Sequence, residues 1–189
     1  EYGPVCDGHA YQIKGAPYRI SDLFGDEDVA RRYAGGNFCT LRLKSSMYHH
    51  FHAPWHGDIN EVIYISGDTW NVNPPTLKVI DGLFCKNERA VVELKTCDQH
   101  IAIVAVAAIL VASIRVHGLP EPLNLNYRGP NHLPLKRSVS KGEPLGYFEH
   151  GSTLVLFTPK CFEFSADLKA GEIIRMGEPL MQKKCLLAG

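Results

Sequence analysis

Gly151 and Ser152 stand near the end of the chain in "EHGSTLVLF", between a histidine and a β-branched apolar run. A serine so placed is a candidate nucleophile. The hydrolase elbow, however, needs G-x-S-x-G, with the serine on a sharp turn between two glycines. The second glycine is missing here, so a base and a reason for Gly151 must be sought elsewhere. The richest source of bases is "MYHHFHAPWHG", which puts His49, His50, His52 and His56 within eight positions. In an extended segment His50, His52 and His56 share one face and His49 points to the other. Imidazoles that titrate near neutrality suit general acid/base work, and they also ligate zinc and similar ions. No carboxylate or cysteine stands at ligand spacing and H-E-x-x-H is absent, so no metal is expected. A histidine-rich surface hairpin is the remaining reading. Asp7, in the tight "GPVCDGHAY", reads as a turn aspartate. Taken with a histidine and a serine it also has the chemistry to orient an imidazole, an arrangement recognised by role and not by chain order.

These residues need a rigid frame, and the composition provides for one. A chain of 189 residues with 45% hydrophobic content fits one compact domain spanning 1–189. Twenty basic residues balance twenty acidic ones without long runs of either sign, so no nucleic-acid partner is expected. Six cysteines without a C-x-x-C pair read as free buried thiols. The chain opens on Glu1 without a charged and apolar leader, as expected of a processed product or a trimmed piece. The longest apolar run, Ile101 to Val116, is 16 residues, short of the roughly 20 that span a bilayer. Its Val and Ile content favours buried strand, with a core helix as the other reading. "GDEDVARRYAGG" predicts a short helix capped by Asp26 and stopped at Gly35 or Gly36. "NEVIYISG", "RAVVELK", "TLVLFT" and "EIIRMG" predict short strands, and "KGEPLGYF" a turn followed by a strand. Residues 117–137, rich in Pro, Asn and Gly, predict a long irregular loop. The expected fold is mainly β (α+β), built from short antiparallel strands with one or two short helices near residues 21 to 34.

Several stretches resemble the phosphatidylserine decarboxylases, pyruvoyl enzymes that make their own cofactor. They are "CDG" at 6–8, "IKGAPYRISDLFGD" at 13–26, "YHHFHAPWHG" at 48–57 and "GDTWNVNP" at 67–74. The series continues with "LFCKNERAVVEL" at 83–94, "VAVAAILVASIRV" at 104–116 and "KGEPLGYFEHGSTLVLF" at 141–157. The resemblance implies that the chain cuts itself between Gly151 and Ser152. A β chain (1–151) and an α chain (152–189) would result and stay associated. The Ser152 hydroxyl would attack the Gly151 carbonyl to give an ester, elimination would leave dehydroalanine, and hydrolysis would yield a covalent pyruvoyl group and ammonia. Glycine suits that place because it hinders attack least and tolerates a strained backbone. By position, the resemblance makes His52 the base for cleavage, Asp7 its orienting aspartate and His49 the residue of decarboxylation. The substrate amine would form a Schiff base with the pyruvoyl group, which acts as electron sink. Tyr48, His50, Trp55 and Thr153 are the candidate substrate-binding residues.

The resemblance has departures. The segment between "CDG" and "IKG" is short, His50 replaces a common arginine, Trp55-His56 replaces a smaller pair, and His150 replaces a usual leucine. The leading expectation is conversion of phosphatidylserine to phosphatidylethanolamine and carbon dioxide. One alternative is a soluble pyruvoyl-dependent decarboxylase of a free amino acid, aromatic ones included, with Trp55, Trp70 or Tyr48 near the substrate. Another is a non-catalytic β-domain binding module. The expected partner is a phospholipid or amino-acid substrate, with membrane contact through a segment outside this chain, and a homodimer by resemblance. Location follows the same condition: membrane-associated if the native protein has an N-terminal apolar segment, cytoplasmic otherwise.

Overall fold

The computed structural model describes residues 1–11, 17–108, 113–149 and 152–184. His150, Gly151, Cys185 and residues 13–16 of the "IKGAP" stretch lie outside the described residues. The chain begins with β1 (Tyr2–Cys6), β2 (His9–Tyr11) and β3 (Pro17–Arg19), paired in sequence order 1-2-3. Two short helices follow, α1 (Ile20–Phe24) and α2 (Glu27–Arg31). Asp26 caps α2 as predicted, accepting from the amides of Asp28 and Val29 at 2.8 and 3.0 Å, with Glu27 and Asp28 in the positive first turn. The helix itself ends at Arg31, and turns carry the chain on to Gly35 and Gly36.

Next come β4 (Asn37–Leu43), β5 (His50–His52) and β6 (Gly57–Ile65), then the single-turn helices α3 (Pro74–Leu77) and α4 (Leu83–Lys86). The strands β7 (Arg89–Lys95), β8 (His100–Ala107), β9 (Ser113–Val116) and β10 (Leu123–Asn124) follow. The last are β11 (His132–Val139), β12 (Pro144–Phe148), β13 (Ser152–Thr158), β14 (Phe162–Phe164) and β15 (Met181–Lys183). The fold is mainly β. A nine-stranded sheet runs in the order β11-β6-β7-β8-β13-β4-β1-β2-β3, and a four-stranded sheet in the order β10-β9-β12-β5. Their pairings are antiparallel.

The apolar run is strand because its strands are covered on both faces. On one face Ile101, Ile103, Ala105 and Leu154 meet Phe51, Ile114, Leu123 and Phe148 of the smaller sheet. On the other, Ala102, Val104, Val106 and Phe157 meet Leu23, Phe24, Val29 and Phe84 of the helices. A strand buried on two sides has no polar face, so the usual alternation vanishes. Phe24 and Tyr33 stack at 5.0 Å, and both rings contact Phe157. Residues 109–112 of the run lie outside the described part.

Three expectations change. The 117–137 stretch is not one long loop: it contains β10 and the start of β11, which pairs with β6 at the sheet margin. Pro134 is compatible with that place because an edge strand leaves amides unpaired on its outer side. "EIIRMG" is not a strand. Gly171 and Gly177 bracket it at φ 88° and 92°, Arg175 N donates to Glu178 Oε2 at 2.7 Å, and Ile173 and Met176 are exposed. Of the cysteines, Cys39 is buried, whereas Cys6 and Cys97 are exposed free thiols. Among the described residues no helix is long and apolar enough to cross a membrane.

Arg89 ties the helices to the large sheet. Its buried guanidinium donates to the carbonyls of Leu23 (2.7 Å), Cys85 (2.6 Å), Asn87 (2.9 Å) and Asp22 (2.7 Å). Burial pushes its pKa down, and the carbonyl dipoles meet the charge directly. Arg89→Met strands those buried carbonyls, so it is expected to destabilise the protein by about 3 kcal/mol or more. Chemical denaturation checks this; an unchanged midpoint would show the carbonyls satisfied without the guanidinium.

Candidate active site

Ser152 is the first residue of β13, a strand held on both sides by hydrogen-bonded neighbours. It pairs with Leu43 of β4 and Ala107 of β8. Its side chain is fully buried on the face toward the smaller sheet, and Oγ has no hydrogen-bond partner among the described residues. Thr153, next along, points to the opposite face, and its Oγ1 is likewise buried and unpartnered. A buried hydroxyl normally has a partner. Two consecutive exceptions mark this strand end as more than packing.

The histidine-rich segment enters the smaller sheet as β5, on the other side of β12 from β9. As predicted from extended periodicity, His50 and His52 share a face while Phe51 fills the core between them. The Nδ1 of His49 lies 2.7 Å from the Met47 carbonyl. A carbonyl only accepts, so Nδ1 carries the proton and Nε2 holds a lone pair. That Nε2 is buried without a partner among the described residues. The main-chain carbonyl of His49 accepts from Phe148 N at 3.0 Å, which ties it to the strand leading into Ser152. The same logic applies to His52: Nδ1 donates to the Gly142 carbonyl at 2.8 Å, and Nε2 accepts from the Tyr48 hydroxyl at 2.8 Å. Both rings thus carry a proton on Nδ1, and in the neutral imidazole the lone pair is on Nε2.

The other predicted residues lie mostly at the surface. His50 is exposed, with its ring 5.1 Å from Tyr48 and 5.0 Å from Tyr147. Trp55 is half-buried, edge-on to Phe162 at 5.4 Å, with Lys141 Nζ 4.9 Å above its ring. His56 is exposed beside Trp55. Asp7 is an exposed turn residue at φ 49°, between β1 and β2, and its carbonyl contacts Nδ1 of His9 at 2.8 Å. The structure does not bring Asp7 to His52, whose ring is oriented by Gly142. Among the described residues no group of three or more His, Cys, Asp or Glu side chains is arranged to hold a metal ion.

Sequence reasoning gave no role to a second polar group in the same core. Glu88 is fully buried, its Oε1 in contact with the Tyr64 hydroxyl and its Oε2 without a partner among the described residues. The Tyr64 hydroxyl is also 3.0 Å from the Asn124 carbonyl. Burial pushes the Glu88 carboxyl up, with the Tyr64 contact working weakly the other way. Burial, aided by Glu88, raises Tyr64 as well. Asn87 is fully buried too, donating to the carbonyls of Trp70 at 2.7 Å and Ala107 at 2.9 Å. The available signal was three polar residues, Asn87-Glu88-Arg89, set directly before the apolar "AVV".

Comparison with known proteins accounts for nearly the whole chain. A family model described as phosphatidylserine decarboxylase matches residues 1–182. The phosphatidylserine decarboxylase proenzyme of Anaeromyxobacter sp. (strain K) is 39% identical over 191 residues, covering 95% of this chain and 66% of the relative. The proenzyme of Brevibacillus brevis is 33% identical over 189 residues, covering 97% of this chain and 68% of the relative. That of Bacillus thuringiensis (strain Al Hakam) is 34% identical over 181 residues and 95% of this chain. The chain matches 63% of the length of this last relative.

Proposed function

The chain belongs to the phosphatidylserine decarboxylase family, and from that premise we propose that it is a self-processing, pyruvoyl-dependent decarboxylase of phosphatidylserine. The observation that carries the reading is Ser152, a buried hydroxyl with no partner among the described residues at the head of a central strand. Such a hydroxyl fits conversion to a pyruvoyl group, because its loss strands no described hydrogen-bond partner. A pyruvoyl group supplies a carbonyl that takes up a substrate amine and withdraws the electrons released with carbon dioxide. Everything else falls to this chain's own side chains. In the precursor, the Ser152 hydroxyl gives its proton to a base as Oγ attacks the preceding carbonyl. The resemblance gives that role to His52. Its ring lies on the face of β5 opposite Phe51, bonded to Tyr48 and Gly142, so it has to turn toward the buried Ser152 hydroxyl to act. The resemblance assigns Asp7 to orient His52, which requires the β1–β2 turn to reach it. His49 keeps its buried Nε2 for moving a proton in the decarboxylation step.

The two products of cleavage, 1–151 and 152–189, are expected to stay together. β13 would belong to the shorter chain yet is bonded along its length to β4 and β8 of the longer one. Separating them would expose both faces of a buried strand. Neither alternative is favoured: the relatives named above are phosphatidylserine decarboxylase proenzymes. Trp55 is also committed to packing on Phe162. The test is carbon dioxide release by the purified protein from phosphatidylserine in mixed micelles, beside free serine and free aromatic amino acids. Release from the lipid alone is expected. Release from a free amino acid alone would replace this substrate assignment with the alternative.

A further inference from the structure

The connection between β6 and β7 is a loop closed at its own base. Asp68 and Asn87 form a parallel bridge, Asp68 N donates to the Lys86 carbonyl at 2.8 Å, and Glu88 N donates to the Asp68 carbonyl at 2.8 Å. Gly67 permits this approach, since a Cβ there would meet the Lys86 carbonyl oxygen at 2.3 Å. A loop whose ends meet and whose own side chains pack inside it holds its shape at the surface. The inner side here is apolar: Val72, Leu83 and Phe84 are buried, and Leu77 and Ile80 are partly buried, in the core shared with α1 and α2. Apolar groups also face outward. Trp70 is 46% exposed and Val79 78%, with the exposed Pro74 and Pro75 between them in the chain. Lys78 and Lys86 are exposed too, without an ion-pair partner among the described residues. Of the loop's carboxylates, Asp68 is engaged by Trp70 Nε1 at 3.0 Å and Asp81 is exposed.

This loop sits at the Ser152 end of the large sheet. Trp70 N donates to Asn87 Oδ1 at 2.9 Å, and the Asn87 amide donates back to the Trp70 carbonyl at 2.7 Å and on to the Ala107 carbonyl at 2.9 Å. Ala107 is the register partner of Ser152. One buried side chain thus ties the main chain of Trp70 to the strand position beside the candidate nucleophile. A second pair of exposed apolar residues, Ile173 (72%) and Met176 (60%), is carried by the connection between β14 and β15. The base of that connection lies at the opposite end of β13: the Phe162 carbonyl accepts from Asn37, which is the register partner of Thr158. The charges there are paired with one another, Lys169 with Glu172 at 3.8 Å and Arg175 with Glu178 at 3.9 Å.

Resting on the decarboxylase reading above, we propose that the 68–87 loop is the surface by which this protein settles on a phospholipid bilayer, with Trp70 and Val79 entering the interface and Lys78 and Lys86 meeting lipid phosphates. A double-chained phospholipid carries its amine in the headgroup layer, so the end of the sheet that bears Ser152 has to face that layer. Apolar side chains left in water at that end gain by transfer into the interface. Tryptophan suits the place because it is apolar over the ring and polar at one edge, and here the edge N–H is already satisfied by Asp68. The two lysines add attraction to anionic lipid. Membrane contact then lies within this chain, on the loop that adjoins the site.

Two measurements on Ser152→Ala protein, which stays whole and leaves the lipid unconsumed, test it. The first is co-sedimentation with vesicles of phosphatidylcholine and phosphatidylserine in equal parts. Trp70→Ala/Val79→Ser is expected to weaken binding about tenfold or more. Lys78→Gln and Lys86→Gln are each expected to weaken it about fivefold, and to change little on phosphatidylcholine alone. Ile173→Ser/Met176→Ser is expected to bind as the parent does. The second measurement uses Trp55→Phe, which leaves Trp70 as the only tryptophan. Its fluorescence is expected to be quenched by lipids brominated on their acyl chains. Parent protein that does not bind, binding lost through Ile173 and Met176 instead of Trp70 and Val79, or bound protein whose Trp70 stays unquenched would overturn the proposal. So would a Trp70/Val79 variant that loses a dimer but keeps vesicle binding, since the loop would then join two copies of the chain. If that variant fails to fold, the quenching decides alone. Failure of the decarboxylase reading is seen separately, as wild-type protein that never cleaves, and neither vesicle measurement depends on cleavage.

Discussion

Ser152→Ala is expected to abolish both self-cleavage and decarboxylation while leaving the fold intact. The hydroxyl is the only atom lost, and it has no hydrogen-bond partner among the described residues. Removing an unsatisfied buried oxygen costs little, whereas removing one member of a bonded pair strands the other. The strand keeps its register with Leu43 and Ala107, since those bonds are main-chain. Activity, by contrast, should fall to the uncatalysed rate, a loss of at least about 10⁶-fold, because without Oγ there is neither a nucleophile for cleavage nor a source for the cofactor. Electrophoresis, thermal melting and carbon dioxide release check the three parts together. An alanine variant that still splits would remove Ser152 from the mechanism.

The second large effect separates the two histidines. His52→Ala is expected to remain a single chain, and His49→Ala to split but decarboxylate poorly, by about 10²- to 10⁴-fold, the usual contribution of a positioned acid or base. These are the roles that the resemblance implies. Both rings carry a proton on Nδ1, bonded to a backbone carbonyl, and in the neutral imidazole the lone pair is on Nε2. They differ in what that nitrogen meets: His52 Nε2 has the Tyr48 hydroxyl, and His49 Nε2 is buried and unpartnered. Chain cleavage followed over hours, with decarboxylation measured on whatever has split, distinguishes the roles. Maturation of His52→Ala at the normal rate would transfer the cleavage base to another residue.

How much of this was legible in the sequence depends on whether the determining interaction is local. The α2 cap was legible because Asp26 reaches only to Asp28 and Val29. "RAVVELK" read as a strand and is β7 over the same residues. The facing of His50 and His52 followed from the two-residue period alone. β11 was hidden because Pro134 argues against a strand unless the strand is at an edge, and edge position is a property of the whole sheet. "EIIRMG" failed in the opposite sense: its pattern suits a strand, but no neighbour among the described residues pairs with it and two left-handed glycines curl it. Within the site, Gly151-Ser152 and the histidines announced themselves by type and order. Glu88 did not, because its burial depends on Tyr64 and Asn124, 24 residues before it and 36 after it, closing around one carboxyl. Asp7 remains the assignment most dependent on resemblance, since it lies at an exposed turn away from the His52 ring.

The central claim is that this chain cuts itself at Ser152 and converts that residue into its cofactor. An intact mass of the purified protein under denaturing conditions, before and after borohydride treatment, addresses it most directly. Two chains are expected, one ending at Gly151 and a smaller one lighter than its encoded mass by one ammonia, which gains two hydrogens on reduction. A single chain of full encoded mass, unchanged by long incubation and by borohydride, would contradict it.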